Sequence, residues 1–402
     1  MTSEQVRAHD VPVWRLPGMR PLVLLTAAGF GGFAALLPVA PLWVARGGAG
    51  EAGAGLVTGV LLLLTILTQP FVPWLLNRFG HGAVLAVGLV ALGLPAPLYG
   101  LSDQLAPVLA ISAVRGVGFG ILTVTGSAVV AELVPLARRG EAVGVYGLGV
   151  AVPNLVILPG SVALAQSAGF GWAFALGALS LLGIPAALRL GVVLRRRVEA
   201  EPQHGPVRRA PIPLSVLARV TLPAVVLFVV TLSGGGIMTF LPQAVASPAL
   251  ASWGLLVVGA VAAVSRWWIG RIGDRRGADR LMAPLLALTA GGLVLTAVGV
   301  AADGWVVLLL AMAVVGFGYG ALQNVTLVCA FAQVTPRHYG SASAVWNIGF
   351  DAGTGLGAVM LGLIAAAADF PTGFVVSAVV VAACIPLSLR LGSRRQWAGD
   401  AA

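Results

Sequence analysis

The sequence predicts an all-α membrane protein: twelve transmembrane helices in two pseudo-symmetric six-helix bundles. Three observations predict it. The chain is 58% hydrophobic and 9% charged, whereas a soluble chain carries about 25% charged residues. Its apolar runs mostly reach the roughly 18–20 residues that a helix needs to cross a bilayer. Short motifs also recur in order about 200 residues apart, the sign of an internal duplication.

Twelve apolar spans follow one another at 20–44, 54–76, 82–100, 105–133, 142–166, 170–193, 215–242, 250–271, 281–301, 304–332, 340–367 and 371–391. They are continuous and lack strict alternation, which excludes a barrel. Residues 1–19 are polar, lack a small-residue cleavage site and are expected to be a cytosolic lead-in. The two bundles occupy 20–193 and 215–391. Between them, 194–214 is rich in Arg and Pro and is expected to be a cytosolic linker, with 392–402 a cytosolic tail. All 24 cations are Arg. With the N-terminus inside, most of them, including Arg78, Arg138, Arg139, Arg275, Arg276, Arg280 and Arg337, fall on cytosolic loops. The opposite loops carry Arg46 with Glu51, Asp103, Asp303 and Asp369. The positive-inside rule therefore predicts a multi-pass protein with both termini cytosolic; the abundance of Ala, Gly, Val and Arg without Lys suggests a GC-rich bacterial genome, so the plasma membrane is the expected site. The net charge of +10 reports this topology and contact with lipid. Cations spread over many short loops make no nucleic-acid surface.

The repeat is read from four matches. GFAALLP at 32–38 answers GIMTFLP at 236–242, and NRFG at 77–80 answers DRRG at 274–277. GVGFG at 116–120 answers GFGYG at 316–320, and AELVP at 131–135 answers AQVTP at 332–336. Two parallel halves joined by a linker suit a transporter whose bundles rock about a central site. The loop GRIGDRRGADR at 270–280 resembles the loop motif of the major facilitator superfamily through Gly270, Asp274, Arg275, Gly277 and Arg280. The first-half copy, PWLLNRFGHG at 73–82, keeps Arg78 and Gly80 but has Pro73 for the glycine and Asn77 for the aspartate. The resemblance implies gating loops. An Asp there can accept hydrogen bonds from free amides at a helix start. By pseudo-symmetry, Asp274 is expected at the start of helix 5 near Arg138, Arg139 and Gly140. Asn77 is expected as a neutral latch at the start of helix 11 near Ser341.

Asp351 carries the chemistry. It lies about eleven residues into span eleven, roughly 17 Å of rise and close to the midplane. A carboxylate at that depth costs roughly 2.5–3.5 kcal/mol and faces a cavity or a partner. It is a candidate proton carrier; the bland alternative is a structural Asp bonded to Asn347, one turn back. Arg115, deep in span four, resembles the superfamily's helix-4 motif, in which an Arg is linked to proton movement in the antiporter branch. Glu132, at the cytosolic end of the same span, is a third proton-coupling candidate, facing Arg138 or Arg139, or else a plain helix-end residue. Arg266 is expected to snorkel to the interface. Gln69, Asn154, Gln323, Asn324 and Asn347 are the polar candidates for a substrate cavity.

Enzyme classes fare poorly. His9, His81, His204 and His338 all fall in predicted cytosolic segments, and neither an HExxH pattern nor a phosphate-binding loop occurs. An intramembrane aspartyl protease needs two acids at depth, and one is found. The reading is of a secondary transporter without cofactor or metal, monomeric, driven by the proton gradient and acting on a small molecule. Efflux of a lipophilic or amphiphilic compound resembles the twelve-helix drug/proton antiporter branch. The alternative is uptake or facilitated exchange of a polar metabolite or organic anion, which could use Arg115.

Overall fold

A computed structural model describes residues 12–200 and 213–389. The remaining stretches of the N-terminal segment, linker and tail, with Arg7, Arg208, Arg209, Arg394 and Arg395, lie outside the described residues. Among the described residues, twelve helices are long and apolar enough to cross a membrane: α1 Met19–Ala49, α2 Gly53–Phe79, α3 His81–Leu101, α4 Leu105–Leu133, α5 Leu136–Ser167, α6 Phe170–Arg197, α7 Leu214–Ala244, α8 Ala249–Arg276, α9 Ala278–Ala301, α10 Trp305–Ala332, α11 Pro336–Ala365 and α12 Phe370–Leu389. No strand occurs among the described residues. The chain is thus an all-α, multi-pass membrane protein. α5 and α11 begin earlier than predicted, because each opens with a 3-10 turn, Leu136–Arg138 and Pro336–His338. Loop glycines with positive φ, Gly80 (80°) and Gly277 (89°), turn the chain between α2 and α3 and between α8 and α9.

The duplication is visible in how the small residues pack. A Cβ on Gly116 or Gly120 of α4 would strike the α2 carbonyls of Leu61 or Thr65. On α10, Gly316 and Gly320 stand in the same way against Val258 and Ala262 of α8. Gly118 faces Gly88 and Leu92 of α3, and Gly318 faces Leu285 and Thr289 of α9. Each of those partners stands 197 residues from its counterpart. The glycines let helix backbones touch where lipid offers no hydrophobic drive for association. Gly316→Val is therefore expected to cost about 1–3 kcal/mol by overpacking, seen as a lower melting temperature of the purified protein.

The chain divides into two compact units, and the division differs from the predicted one. Unit 1 is residues 1–135, 148–213 and 336–344; unit 2 is 136–147, 214–335 and 345–402. The first turns of α5 thus belong to the second unit, and those of α11 to the first. In unit 1, Ser343 donates to the carbonyl of Val124 at 2.7 Å, and Ala344 joins a core with Val72, Leu76, Val84, Ile121 and Val124. Sequence runs alone assign each helix whole to its own half; packing divides these two.

Candidate functional site

The sharpest sequence feature, VWNIGFDAGTGLG at 345–357, does two jobs on two faces of α11. Gly349, Gly353 and Gly357 recur every fourth residue and lie against the α7 carbonyls of Ala224, Phe228 and Leu232, themselves spaced by four. Asp351, two residues from Gly349 and Gly353, points about 200° round the helix from that stripe. It shares its face with Asn347, and both are buried. Among the described residues Asp351 is the one buried carboxylate. Its electrostatic neighbour is Tyr319 of α10, which shares a hydrogen bond with Thr354. Thr354 in turn donates to the carbonyl of Phe350 at 2.8 Å.

Arg266 is another electrostatic neighbour of Tyr319, and here the expectation of snorkelling fails. Arg266 is buried, and its Nη1 donates to Gln323 Oε1 at 2.9 Å. The cause is the start of α5. Gly144 lets that segment lie on the backbone of Trp267, and Gly147 sits so close that a Cβ would stand 2.6 Å from Arg266 Nε. With Tyr146 also beside it, the guanidinium has no path to water along its own helix. No ion pair reaches Arg266, and its Nε has no hydrogen-bond partner among the described residues. Sequence reading missed it, because what covers it lies 120 residues away in the chain. Asn324, one residue after Gln323, is not a cavity group as expected. Its amide donates to the carbonyls of Gly140 at 2.9 Å and Arg266 at 2.8 Å, tying α10 to both other helices.

The loop residues of this unit meet where pseudo-symmetry put them. Gly270 and Gly140 are in backbone contact. One turn on, Asp274 accepts from Gly140 N at 2.7 Å and Glu141 N at 2.9 Å. Two free amides at a helix start suit a carboxylate, by hydrogen bonding and by the helix dipole. Glu141 also takes Arg138 at 3.0 Å and Arg271 at 3.5 Å. Arg275 and Arg280 are exposed.

In unit 1 the corresponding latch is not made. Asn77 is exposed and forms no hydrogen bond with Ser341. The reason is Pro73, which stands where the other copy has Gly270. A Cβ on Gly340 would lie 3.5 Å from that of Pro73, so the proline keeps the helix start beyond an Asn side chain's reach. Arg78 and Gly80 close the turn, with the Arg78 guanidinium 5.6 Å from the Phe79 ring. Glu132 has a neighbour that sequence reading did not name, His81 of α3, Nε2 to Oε1 3.4 Å. Arg138 pairs with Glu141, three residues along its own helix start. Arg197 donates to the carbonyls of Glu132 at 3.1 Å and Leu133 at 3.0 Å, closing the end of α4.

Arg115 is wholly buried in unit 1. Its Nη2 donates to the carbonyl of Gly32 on α1 at 3.0 Å, and the guanidinium lies 5.8 Å from the Tyr99 ring of α3. Tyr99 is held by Ser112 at 2.8 Å. Nε and Nη1 of Arg115 have no partner among the described residues. Of the polar candidates here, Gln69 is buried on α2, and Asn154 donates to Val150 O of its own helix at 2.8 Å.

A sequence model of the Major Facilitator Superfamily matches residues 22–245 and 223–398. An uncharacterized MFS-type transporter of Mycobacterium tuberculosis is 29% identical over 149 residues. That match spans 37% of this chain and 24% of the relative's length. Among solved structures, the human organic anion transporter MFSD10 (TETRAN) superposes with TM-score 0.74 at 16% identity, covering 94% of this chain and 100% of the other. A bacterial homologue of the iron transporter ferroportin, in an outward-facing state, superposes with TM-score 0.70 at 14% identity, covering 93% and 99%. Both likenesses are of fold.

Proposed function

We propose that this chain, which belongs to the major facilitator superfamily, is a proton-coupled secondary transporter that expels a small lipophilic or amphiphilic compound. As a member of that family it is a transporter and not an enzyme. The observation that carries proton coupling is Asp351, the one buried carboxylate among the described residues, set at mid-span beside Tyr319. Buried intramembrane acids serve proton relays, because burial disfavours their charged form and a change of access can restore it. Of the five polar cavity candidates, Asn154 and Asn324 donate to backbone carbonyls and Gln323 accepts from Arg266. That three of the five are engaged within the protein favours an apolar substrate over a sugar-like one. In this reading the direction is efflux across the plasma membrane, and the arginine asymmetry supports an orientation with both termini cytosolic. In this reading the Asp274 latch stabilises one access state, and the protein acts as a monomer.

The test is proton flux in sealed everted vesicles, followed by a pH-gradient dye while lipophilic, cationic and anionic compounds are added. A compound that collapses the gradient with wild type and not with Asp351→Asn supports the proposal. Equal responses from both overturn it.

A second reading rests on a different observation. Arg115 and Arg266 are both buried without an ion pair among the described residues, and an organic anion would compensate such a cation. Arg266→Met discriminates. A buried cation without an ion partner carries a desolvation cost, so replacing it by an apolar side chain of similar length is neutral or stabilising unless its hydrogen bond to Gln323 holds the fold. Unchanged or raised thermal stability with loss of anion transport alone would favour an anionic substrate.

A further inference from the structure

We infer that a groove between the start of α1 and the end of α6 binds the phosphate headgroup of an anionic phospholipid. The groove encloses about 710 Å3, and its lining includes Arg15, Arg20 and Arg189 along with Pro21, Val192 and Val193. It lies within one compact unit and takes no part in the transport machinery described above.

Its shape follows from the approach to α1. A 3-10 turn, Val13–Arg15, precedes the helix and is anchored by Val13, which is fully buried, as is Met19 beyond it. Gly18, at φ 92°, makes the turn between them, where a Cβ would press on Leu133. Trp14 is left exposed on this surface, with the guanidinium of Arg15 4.9 Å and that of Arg20 4.8 Å from its ring. The ring face holds these cations in place. Arg189 approaches from α6, between Leu188 (52% exposed) and Val192 (50% exposed) on an apolar outer surface. None of the three arginines forms an ion pair or a side-chain hydrogen bond among the described residues.

Three guanidinium groups that line one groove without an ion pair among the described residues call for a ligand that offers several acceptor oxygens, and a phosphate fits their fork geometry. The apolar residues select the source. Pro21, Val192 and Val193 continue the groove onto the surface of membrane-length helices, where an acyl chain can lie and a free anion gains nothing. Trp14 sits among the cations as tryptophan does at the headgroup level. At roughly the strength of one surface cation per arginine, removing all three is expected to weaken anionic-lipid binding about a hundredfold.

Native mass spectrometry of the full chain tests this, with phosphatidylglycerol and phosphatidylcholine of equal acyl length supplied in equal amounts. Wild type is expected to retain phosphatidylglycerol selectively. The triple variant R15Q/R20Q/R189Q is expected to lose that preference, and R219Q/R276Q/R280Q, which removes the same charge from exposed sites in the other unit, to keep it. The groove arginines are on the surface, so an unchanged melting temperature verifies that the variant is folded; the single variant R189Q, with a partial loss, serves if it is not. Equal losses in both triple variants would mean diffuse attraction and overturn the site. Displacement of the lipid by inorganic phosphate at the same concentration would make it a free-anion site. Selectivity that emerges only after Glu4→Gln and Asp10→Asn would assign the groove to residues 1–11. Each of these results overturns the lipid assignment.

Discussion

Asp351→Asn is expected to reduce substrate-driven proton movement to background while leaving the folded protein at least as stable as wild type. The two halves of that result come from one cause. A carboxylate near mid-span costs roughly 2.5–3.5 kcal/mol to insert, and the amide is its near-isostere without a titrating proton. If Asp351 were retained only to hydrogen-bond its neighbours, Asn would keep part of that bonding and transport would persist. Proton flux and melting temperature, measured on the same preparations, separate the cases. Lost flux with an unchanged or raised melting temperature identifies a group kept for its proton. Retained flux identifies a structural side chain. The packing of α11 makes the variant a clean one, because the glycine stripe against α7 is on another face and is not disturbed.

Asp274→Ala is expected to destabilise the protein by about 2–4 kcal/mol, since it strips two amides of charge-assisted partners that together are worth roughly 3–6 kcal/mol when fully buried and less at this half-buried site. Asp274→Asn, which keeps one acceptor oxygen, should fall between. Gly270→Ala reaches the same end from the other side: its Cβ would overlap the Gly140 carbonyl and force the helix start away from Asp274. The decisive comparison is with Asn77→Ala, the same position in the first repeat, which is expected to change the melting temperature by less than about 0.5 kcal/mol equivalent, as an exposed residue without partners does. Similar small effects at both positions would show that the loops do no more than orient the chain. A large effect at Asp274 alone would show that one latch of the duplicated pair survives.

Much of this protein was legible in its sequence. Twelve spans, their order and the duplication follow from apolar runs and from short matches at a near-constant interval, because a bilayer imposes length and hydropathy on each helix separately. The Asp274 contact was legible as well, since pseudo-symmetry brings one repeat's loop to the equivalent helix start. Asp351 announced itself as the lone acid in an apolar run.

Other features were hidden until the helices packed. Arg266 stands near the end of its helix and ought to reach water; Gly144, Tyr146 and Gly147 close over it. Asn324 resembles a cavity residue until two backbone carbonyls claim its amide. Asn77 resembles a latch until the ring of Pro73 holds its target at a distance. Glu132 faces His81 because α3 starts beside the end of α4. In each case hydropathy and rise per residue, both local properties, place a residue on its helix and set its depth. Which side chain is covered, and by what, is settled when the helices pack. Burial and hydrogen-bond partners are properties of pairs of helices, and the contacting residues are far apart along the chain.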